Sequence, residues 1–476
     1  MNILFNAYDQ TAKIYCKIAY ELNNCSDNHI DTFYFLIDTT VYEQYIRKNA
    51  TPNSVIIHRY ADFDKNTVKN YDDGTFAAYE KKYGIPNVGL LAVSERFFTF
   101  EDNQNYKDIF CWHCETVEQI FEKYPIDFVV SMDIAGFYSI PIKILADAKK
   151  IPFVYMNMSR LPRRIKFSTD IFLTPLHFKE TLDELMNRQL TEEEYTKARE
   201  LVLSYREKNQ KPPYHREYSR VPPFASPKKI VKKLKDYIFG DVKKYVSLSE
   251  VLKYSTYFRK FRLYYKNTFY SKLFEEPDYS KPYIYFPLQY QPEIAIDTMG
   301  AFYENQSIIV DFVTKSLPAG FKLYVKDHPA MFGLRPISFY KAIKIFPNVR
   351  LIHSSVDNYS LLKNSAGVVV ISGTAGFEGY ILGKPVILFG KVFYQYGKGV
   401  YNVSDIWKLP EILKDAVENY KPDEDAIVKL CYAYYSSTYP GIVAPPSVDP
   451  EILSDENIKN LVIAIIKEYQ YLKLLH

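Results

Sequence analysis

Residues 367–390 read GVVVISGTAGFEGYILGKPVILFG. The run GVVVIS is short, apolar and β-branched, the pattern of a buried strand. It runs into Ser372-Gly373-Thr374, and a helix is expected to begin near Ala375. A Gly-Lys-Pro turn then leads into a second strand, PVILFG. Strand, helix and strand in this order make a parallel βαβ unit.

The same grammar extends both ways. Upstream, YIYFPLQ (283–289), KLYVKD (322–327) and VRLIHS (349–354) read as strands, with a helix at 304–316. The first half repeats it with NILFN (2–6), TFYFLID (32–38), SVIIHRY (54–60), DFVVSMD (127–133) and PFVYMN (152–157). Helices are expected at 11–22, 138–149 and 455–473. Strands alternating with helices imply doubly wound sheets. The fold expected is α/β: two Rossmann-type parallel-sheet domains facing a central cleft, with a helical basic insertion between them. The boundaries expected are 1–175 for the N-terminal domain and 176–278 for the insertion. The second Rossmann-type domain is expected at 279–440, and a C-terminal helix within 441–476.

Length agrees with this plan, since 476 residues suit two or three domains. Hydrophobic residues are 47% and charged residues 24%, a globular balance that excludes wholesale disorder. No apolar run reaches the roughly 18 to 20 residues that span a bilayer. The stretch MNILFNAYDQ carries no basic residue and meets Asp9 early, so a cleaved secretory signal is not expected. A cytoplasmic protein is expected, associated with the inner face of the cytoplasmic membrane in one reading. Five cysteines suggest reduced thiols rather than a disulfide framework. Cys111-Trp-His-Cys114 lies in a helical pattern and reads as buried thiols.

The net charge of +4 hides a segregation. Residues 228–272 hold thirteen Lys and Arg against three Asp and Glu, leaving the rest of the chain at −6. Basic residues interleaved with Tyr, Phe and Leu fit an anionic membrane surface or an acidic polysaccharide. An exposed helical insertion is the plain alternative. No nucleic-acid motif accompanies the charge, so nucleic acid is not expected. Just before it, Thr191 and Glu194 fit a capping box.

In open α/β sheets, ligands lie beyond the carboxyl ends of the strands. Functional residues are therefore sought directly after strands. At 372–378, Gly373 and Gly376 allow close backbone approach, Ala375 opens a helix N-terminus suited to phosphate, and Ser372 and Thr374 offer hydroxyls. Glu378, one turn in, suits a ribose diol. The competing account is an ordinary capped helix with Glu378 in solvent. In YVKDHP (324–329), His328 and Pro329 follow a strand, with Lys326 and Arg335 adding positive potential. In FPLQYQPE (286–293), Gln289 and Gln291 suit base or sugar amides, against a plain connecting turn.

These stretches, FPLQYQPE, VKDHP, PNVRLIH and ISGTAGFEGYILGKPVILFG, resemble the capsule polysaccharide biosynthesis family of glycosyltransferases, which includes the bacterial Kdo transferases. SRLPRRIKFSTD (159–170) and the stretch from EKKYGIPN (80–87) to SERFF (94–98) add to the likeness. The resemblance implies a GT-B-like fold, with a nucleotide-sugar donor on the C-terminal domain (279–440), a glycan or glycolipid acceptor on the N-terminal one (1–175), and the C-terminal helix of 441–476 expected to cross back to the first domain. It implies that His328 binds the nucleotide or phosphate, with Ser372, Thr374 and Glu378 completing the site. No metal or other cofactor is expected. A CMP-linked ulosonic acid such as Kdo or a sialic-like sugar is the favoured donor, and a UDP-sugar the other. Asp73, in an Asp-Asp-Gly run similar to that of bacterial sialyltransferases, is one candidate base. Asp133 and Asp9, each following a strand, are the rivals. Glu95, Arg96, Arg160 and Arg163 are candidates for acceptor or donor contact. The alternatives are a nucleotide-sugar epimerase, a glycerophosphate transferase, and a non-catalytic glycan- or membrane-binding protein.

Overall fold

A computed structural model describes residues 1–7, 10–24, 30–37, 42–59, 71–85, 87, 103–132, 136, 139–207, 270–291, 293–300, 302–332, 334–446 and 449–475. Asp9, Glu95, Arg96, Asp133 and residues 228–269 of the basic segment lie outside them.

Thirteen strands are described, in chain order. They are β1 (Asn2–Asn6), β2 (Thr32–Ile37), β3 (Ser54–His58), β4 (Phe128–Ser131), β5 (Phe153–Met158), β6 (Arg164–Ser168), β7 (Tyr283–Pro287), β8 (Lys322–Lys326), β9 (Val349–Ile352), β10 (Gly367–Val370), β11 (Val386–Leu388), β12 (Val400–Asn402) and β13 (Tyr439–Pro440). The chain divides into two compact units. Unit 1 holds Met1–Ala198, Pro292–Ala301 and Val428–His476; unit 2 holds Arg199–Gln291 and Phe302–Ile427.

The sheet of unit 1 runs β13-β6-β5-β4-β1-β2-β3. Strands β1 to β5 are mutually parallel along it. Its near-continuous apolar strands are buried on both faces, as parallel sheets require. One face packs the helices Thr11–Asn24 and Asp455–Leu475, through Ile14, Ile18, Ile458, Leu461 and Ile465. The other packs Asn103–Lys123 and Ile140–Ala148, through Phe110, Val117, Ile142 and Leu145. Cys111 and Cys114 lie in that second core, buried, with burial pushing both thiols up, Cys111 to about 12.

One edge departs from the expected all-parallel plan. The SRLPRRIKFS stretch forms β6, which returns antiparallel along β5, and β13 adds to β6 antiparallel. The reversal is built locally. Ser159 Oγ accepts the Leu161 N–H at 3.0 Å, Ser159 N donates to Arg164 O at 2.8 Å, and Arg163 sits at φ +54°. Serine turns of this kind compete with regular structure, and they carry no hydrophobic periodicity to reveal them.

The sheet of unit 2 runs β12-β11-β10-β7-β8-β9 and is parallel throughout. Counted from β7, this is the dinucleotide-binding order 3-2-1-4-5-6. Its direction of winding reverses between β7 and β10. The two Rossmann-type sheets expected from sequence are therefore both present. The capping box is formed as well: Glu194 N donates to Thr191 Oγ1 at 3.3 Å and Thr191 N to Glu194 Oε2 at 2.8 Å. No helix among the described residues is long and apolar enough to cross a membrane.

Candidate functional site

The crevice of an open α/β sheet forms where strand order reverses. In unit 2 that point lies between the exits of β7 and β10. Gln289 leaves β7, Asp327 and His328 leave β8, and Ser372-Gly373-Thr374 leave β10. The sequence motifs thus converge on one sheet edge, but several of their residues serve roles other than those expected.

Gln289 acts as a clamp. Its side-chain Oε1 accepts the Ser372 N–H at 3.3 Å, so it ties the β7 exit to the β10 exit. Its own N–H donates to Gln306 Oε1 at 2.7 Å, and its carbonyl accepts from Gln306 Nε2 and from Arg335 Nη2 at 2.5 Å. Gln291 Oε1 accepts from Gln306 Nε2 at 3.3 Å.

Gly373 and Gly376 also acquire different reasons. A Cβ on Gly373 would lie 2.8 Å from Gln289 Nε2, so the glycine makes room for the clamp. A Cβ on Gly376 would overlap Tyr394 Oη and come within 2.8 Å of Val370 Cγ2. That absence of a side chain lets the helix Thr374–Ile381 press onto β10, while Tyr394 Oη donates to Gly373 O at 2.6 Å. Ser372, Ala375 and Gly376 are buried; Gly373, Thr374 and Glu378 are partly open. The backbone N–H groups at the first turn of that helix, beginning at Thr374, form the surface that suits an anion.

His328 is held by its own turn. Ala330 N donates to His328 Nδ1 at 3.1 Å. In the neutral ring this puts the proton on Nε2, which makes Nε2 a donor. Beneath it lies a group that sequence reading passed over, Asp327. This carboxylate is fully buried. It accepts the His328 N–H at 2.8 Å, Arg335 Nε at 3.1 Å and Tyr340 Oη at 2.5 Å. Burial and Asp327 both push the Tyr340 hydroxyl up, so it stays a donor. Arg335, stacked on Phe339, therefore spends its charge on Asp327 and does not add the free positive potential expected of it. A charged residue between a strand and a His-Pro pair was the available signal for Asp327.

Lys326 ends β8 and is only 4% exposed. Burial lowers it to about 8, opposed by Asp327 and Asp357. An unfolded lysine holds its proton to roughly 10.4. Between these values the unfolded chain binds more protons, so stability rises with pH across that window. Below about 8 the ammonium is charged in both states and the cost of burying it is present in full. Urea titrations at pH 7 to 10 should show this slope, and Lys326→Met should flatten it.

In unit 1 the expected residues separate. Asp72 caps the helix Asp73–Tyr83, accepting from Thr75 N and Thr75 Oγ1 at 2.8 Å each, and Asp73 is exposed at its first position. Asp72 of the Asp-Asp-Gly run is thereby used as a helix cap, and Asp73 stands exposed beside it. Arg163 is exposed and ion-paired to Glu451 at 2.7 Å. Arg160 is half-buried, its N–H donating to Tyr434 Oη at 2.8 Å.

The capsule polysaccharide biosynthesis protein family model matches residues 225–404. No curated protein matches the chain. Among solved structures, Thermosulfurimonas dismutans KpsC, beta Kdo 2,7 transferase, is 12% identical over 74% of this chain and 89% of its own, with a TM-score of 0.36. Anabaena Alr3699/HepE in complex with UDP and glucose is 10% identical over 92% and 94%, TM-score 0.27. UDP-GlcNAc 2-epimerase from Methanocaldococcus jannaschii is 12% identical over 92% and 98%, TM-score 0.27. At these scores the structural likenesses carry no argument, and the fold rests on the two sheets themselves. The family match covers β7 to β12, and so all the strand exits just described. Over that segment, the chain is similar to the capsule polysaccharide biosynthesis family that its motifs led us to expect.

Proposed function

We propose that this protein is a glycosyltransferase of surface-polysaccharide assembly, moving a sugar from a nucleotide-sugar donor to a glycan or glycolipid acceptor. The observation that carries this is the β7–β10 switch point of unit 2. There a helix N-terminus, the Nε2 side of His328 and the partly open Glu378 stand at one sheet edge. Helix N-termini and oriented donors stabilise a leaving phosphate electrostatically. His328 donates to the nucleotide phosphate, Thr374 and the helix N–H groups hold its oxygens, and Glu378 takes the ribose diol. The reaction runs without a metal ion. A CMP-linked ulosonic acid is the donor favoured by the His-Pro pair and by the family match. The base is a carboxylate of the acceptor side, with Asp73, Asp133 and Asp9 as the candidates from sequence. The basic segment 228–272 gives peripheral contact with anionic membrane, where a lipid-linked acceptor would be met.

A thermal-shift screen against CMP, CDP, UDP, GDP and ADP, with and without magnesium, tests the donor site. One nucleotide should raise the melting temperature selectively and without metal, since ligand binding stabilises the folded state by mass action. Stabilisation only with magnesium would sink the metal-free reading. No shift, followed by no heat on titration, would sink the donor site. Product analysis then separates transfer from epimerisation, which alters the donor without an acceptor.

A further inference from the structure

The sheet of unit 1 changes chemistry at its carboxyl edge. On the face covered by Asn103–Lys123 and Ile140–Ala148, Leu4, Val129 and Phe153 are core residues. Further along the same strands, that face carries Asn6, Ser131 and Asn157. Asn6 is in register with Ser131, and Lys166 of β6 lies directly across from Asn157. Directly paired cross-strand residues bring their side chains within about 5 Å.

A buried polar group is costly unless it is hydrogen-bonded. Half of this row answers that demand internally: Asn6 Nδ2 donates to Ser131 Oγ at 3.2 Å, and Ser131 Oγ lies 3.3 Å from Ser139 Oγ. The other half does not. Asn157 Nδ2 and Ser168 Oγ are buried with no hydrogen-bond partner among the described residues, and Ser168 is fully inaccessible. Lys166, across from Asn157 and two residues before Ser168 on β6, is 6% exposed, its Nζ donating to Leu173 O at 2.6 Å. Leu173 is held at φ +56°, a conformation seldom kept without a reason. Burial and then the nearby Arg160 lower Lys166 to about 7, against Asp170, which raises it. The corner thus gathers an amide donor, a hydroxyl, an ammonium and a guanidinium, while the nearby carboxylate of Asp170 accepts the Thr174 N–H at 3.2 Å. The neighbouring arginines are committed elsewhere. Arg163 pairs with Glu451, and Arg164 bonds Thr438 and the Tyr435 carbonyl.

We infer that this corner is an oxyanion site for an acidic sugar, a sugar carboxylate or sugar phosphate, with Asn157 and Lys166 as its donors, the buried Ser168 behind them and Arg160 as its electrostatic support. Donors of two unmet kinds at the sheet edge where ligands collect are what such a site requires. The inference rests on the glycosyltransferase reading only in casting the sugar as acceptor.

Saturation-transfer NMR on the full chain, with glucuronate, its neutral isostere glucuronamide and glucose 6-phosphate at millimolar concentration, tests it. At least one of the two acids should bind, and glucuronamide should bind about tenfold more weakly, the scale of one charge-assisted bond. Glucuronate alone assigns a carboxylate, and glucose 6-phosphate alone a phosphate. Lys166→Met and Asn157→Leu should each weaken the acid about tenfold while keeping the nucleotide-induced thermal shift, which depends on unit 2. Asn157 is half-buried, so that variant serves if Lys166→Met does not fold. Equal binding of acid and amide, no binding of either acid, or unchanged affinity in the variants overturns the inference. Loss of the nucleotide shift in the wild type itself overturns the transferase reading instead, and leaves the acid result to stand alone.

Discussion

His328→Asn should leave the protein folded and reduce transfer about 10²- to 10³-fold, the usual effect of removing one preorganised donor to a developing charge. The asparagine Oδ1 can take the place of Nδ1 and keep the bond from Ala330 N, now 3.1 Å long. What it cannot supply is a donor where Nε2 stands. His328→Gln reverses the pattern: its longer amide carries N–H to the Nε2 position and gives up the turn bond. A partial recovery in His328→Gln relative to His328→Asn would identify the donated hydrogen bond as the property that matters. His328→Ala should be as inactive as the asparagine variant and lose the Ala330 bond as well. Initial rates with a nucleotide-sugar donor, beside melting temperatures, make the comparison. Rates within a few-fold of wild type in all three variants would remove His328 from the donor site.

The fold was legible because its signals are periodic and local. Runs such as GVVV and YIYFP are buried on nearly every residue, and hydrophobic continuity marks parallel strands. The Thr191–Glu194 capping box is as local, and it formed as read. Strand β6 was passed over although Arg164-Ile165-Lys166-Phe167-Ser168 alternates polar and apolar residues, because the run is only five residues long and three of them are polar. The site divides along the same line. That SGTAGFE and His-Pro sit at strand ends follows from strand positions alone. That Gln289 clamps Ser372, or that Gly376 yields to Tyr394, depends on partners 83 and 18 positions away, which no local pattern records. The Asp-Asp-Gly run shows a second use of a short motif, since its Asp72 serves as a helix cap. Asn157 and Ser168 carry no motif, and they stand out only because burial leaves their polar atoms unanswered.

Asp327→Ala is expected to destabilise the protein by about 3–5 kcal/mol, the cost of stripping one partner from a buried ion pair. Arg335 is 6% exposed and would keep its charge with no carboxylate at Nε, and Tyr340 Oη would lose its acceptor. The damage should spread in a defined order. Arg335 Nη2 also holds the Gln289 carbonyl, and Gln289 Oε1 holds Ser372 N, so the exits of β8, β7 and β10 hang on one chain of bonds. Asp327→Asn keeps the volume and an acceptor for Tyr340, so it should be milder. Combining it with Arg335→Met removes the stranded charge. The double variant should then be more stable than Asp327→Asn alone, because a buried pair replaced by neutral groups is far less costly than a pair broken on one side. A double-mutant cycle in urea gives the coupling, expected at about 1–3 kcal/mol for residues in one network. Nucleotide affinity adds a second axis. If the carboxylate merely stabilises the fold, affinity measured well below the melting temperature should match wild type in every variant. If it sets the crevice, affinity should fall in the double variant too, since Gln289 has lost its arginine even where stability has returned. A loss of under 1 kcal/mol in Asp327→Ala would show that the strand exits are held by their packing alone and that the network follows the fold rather than fixing it.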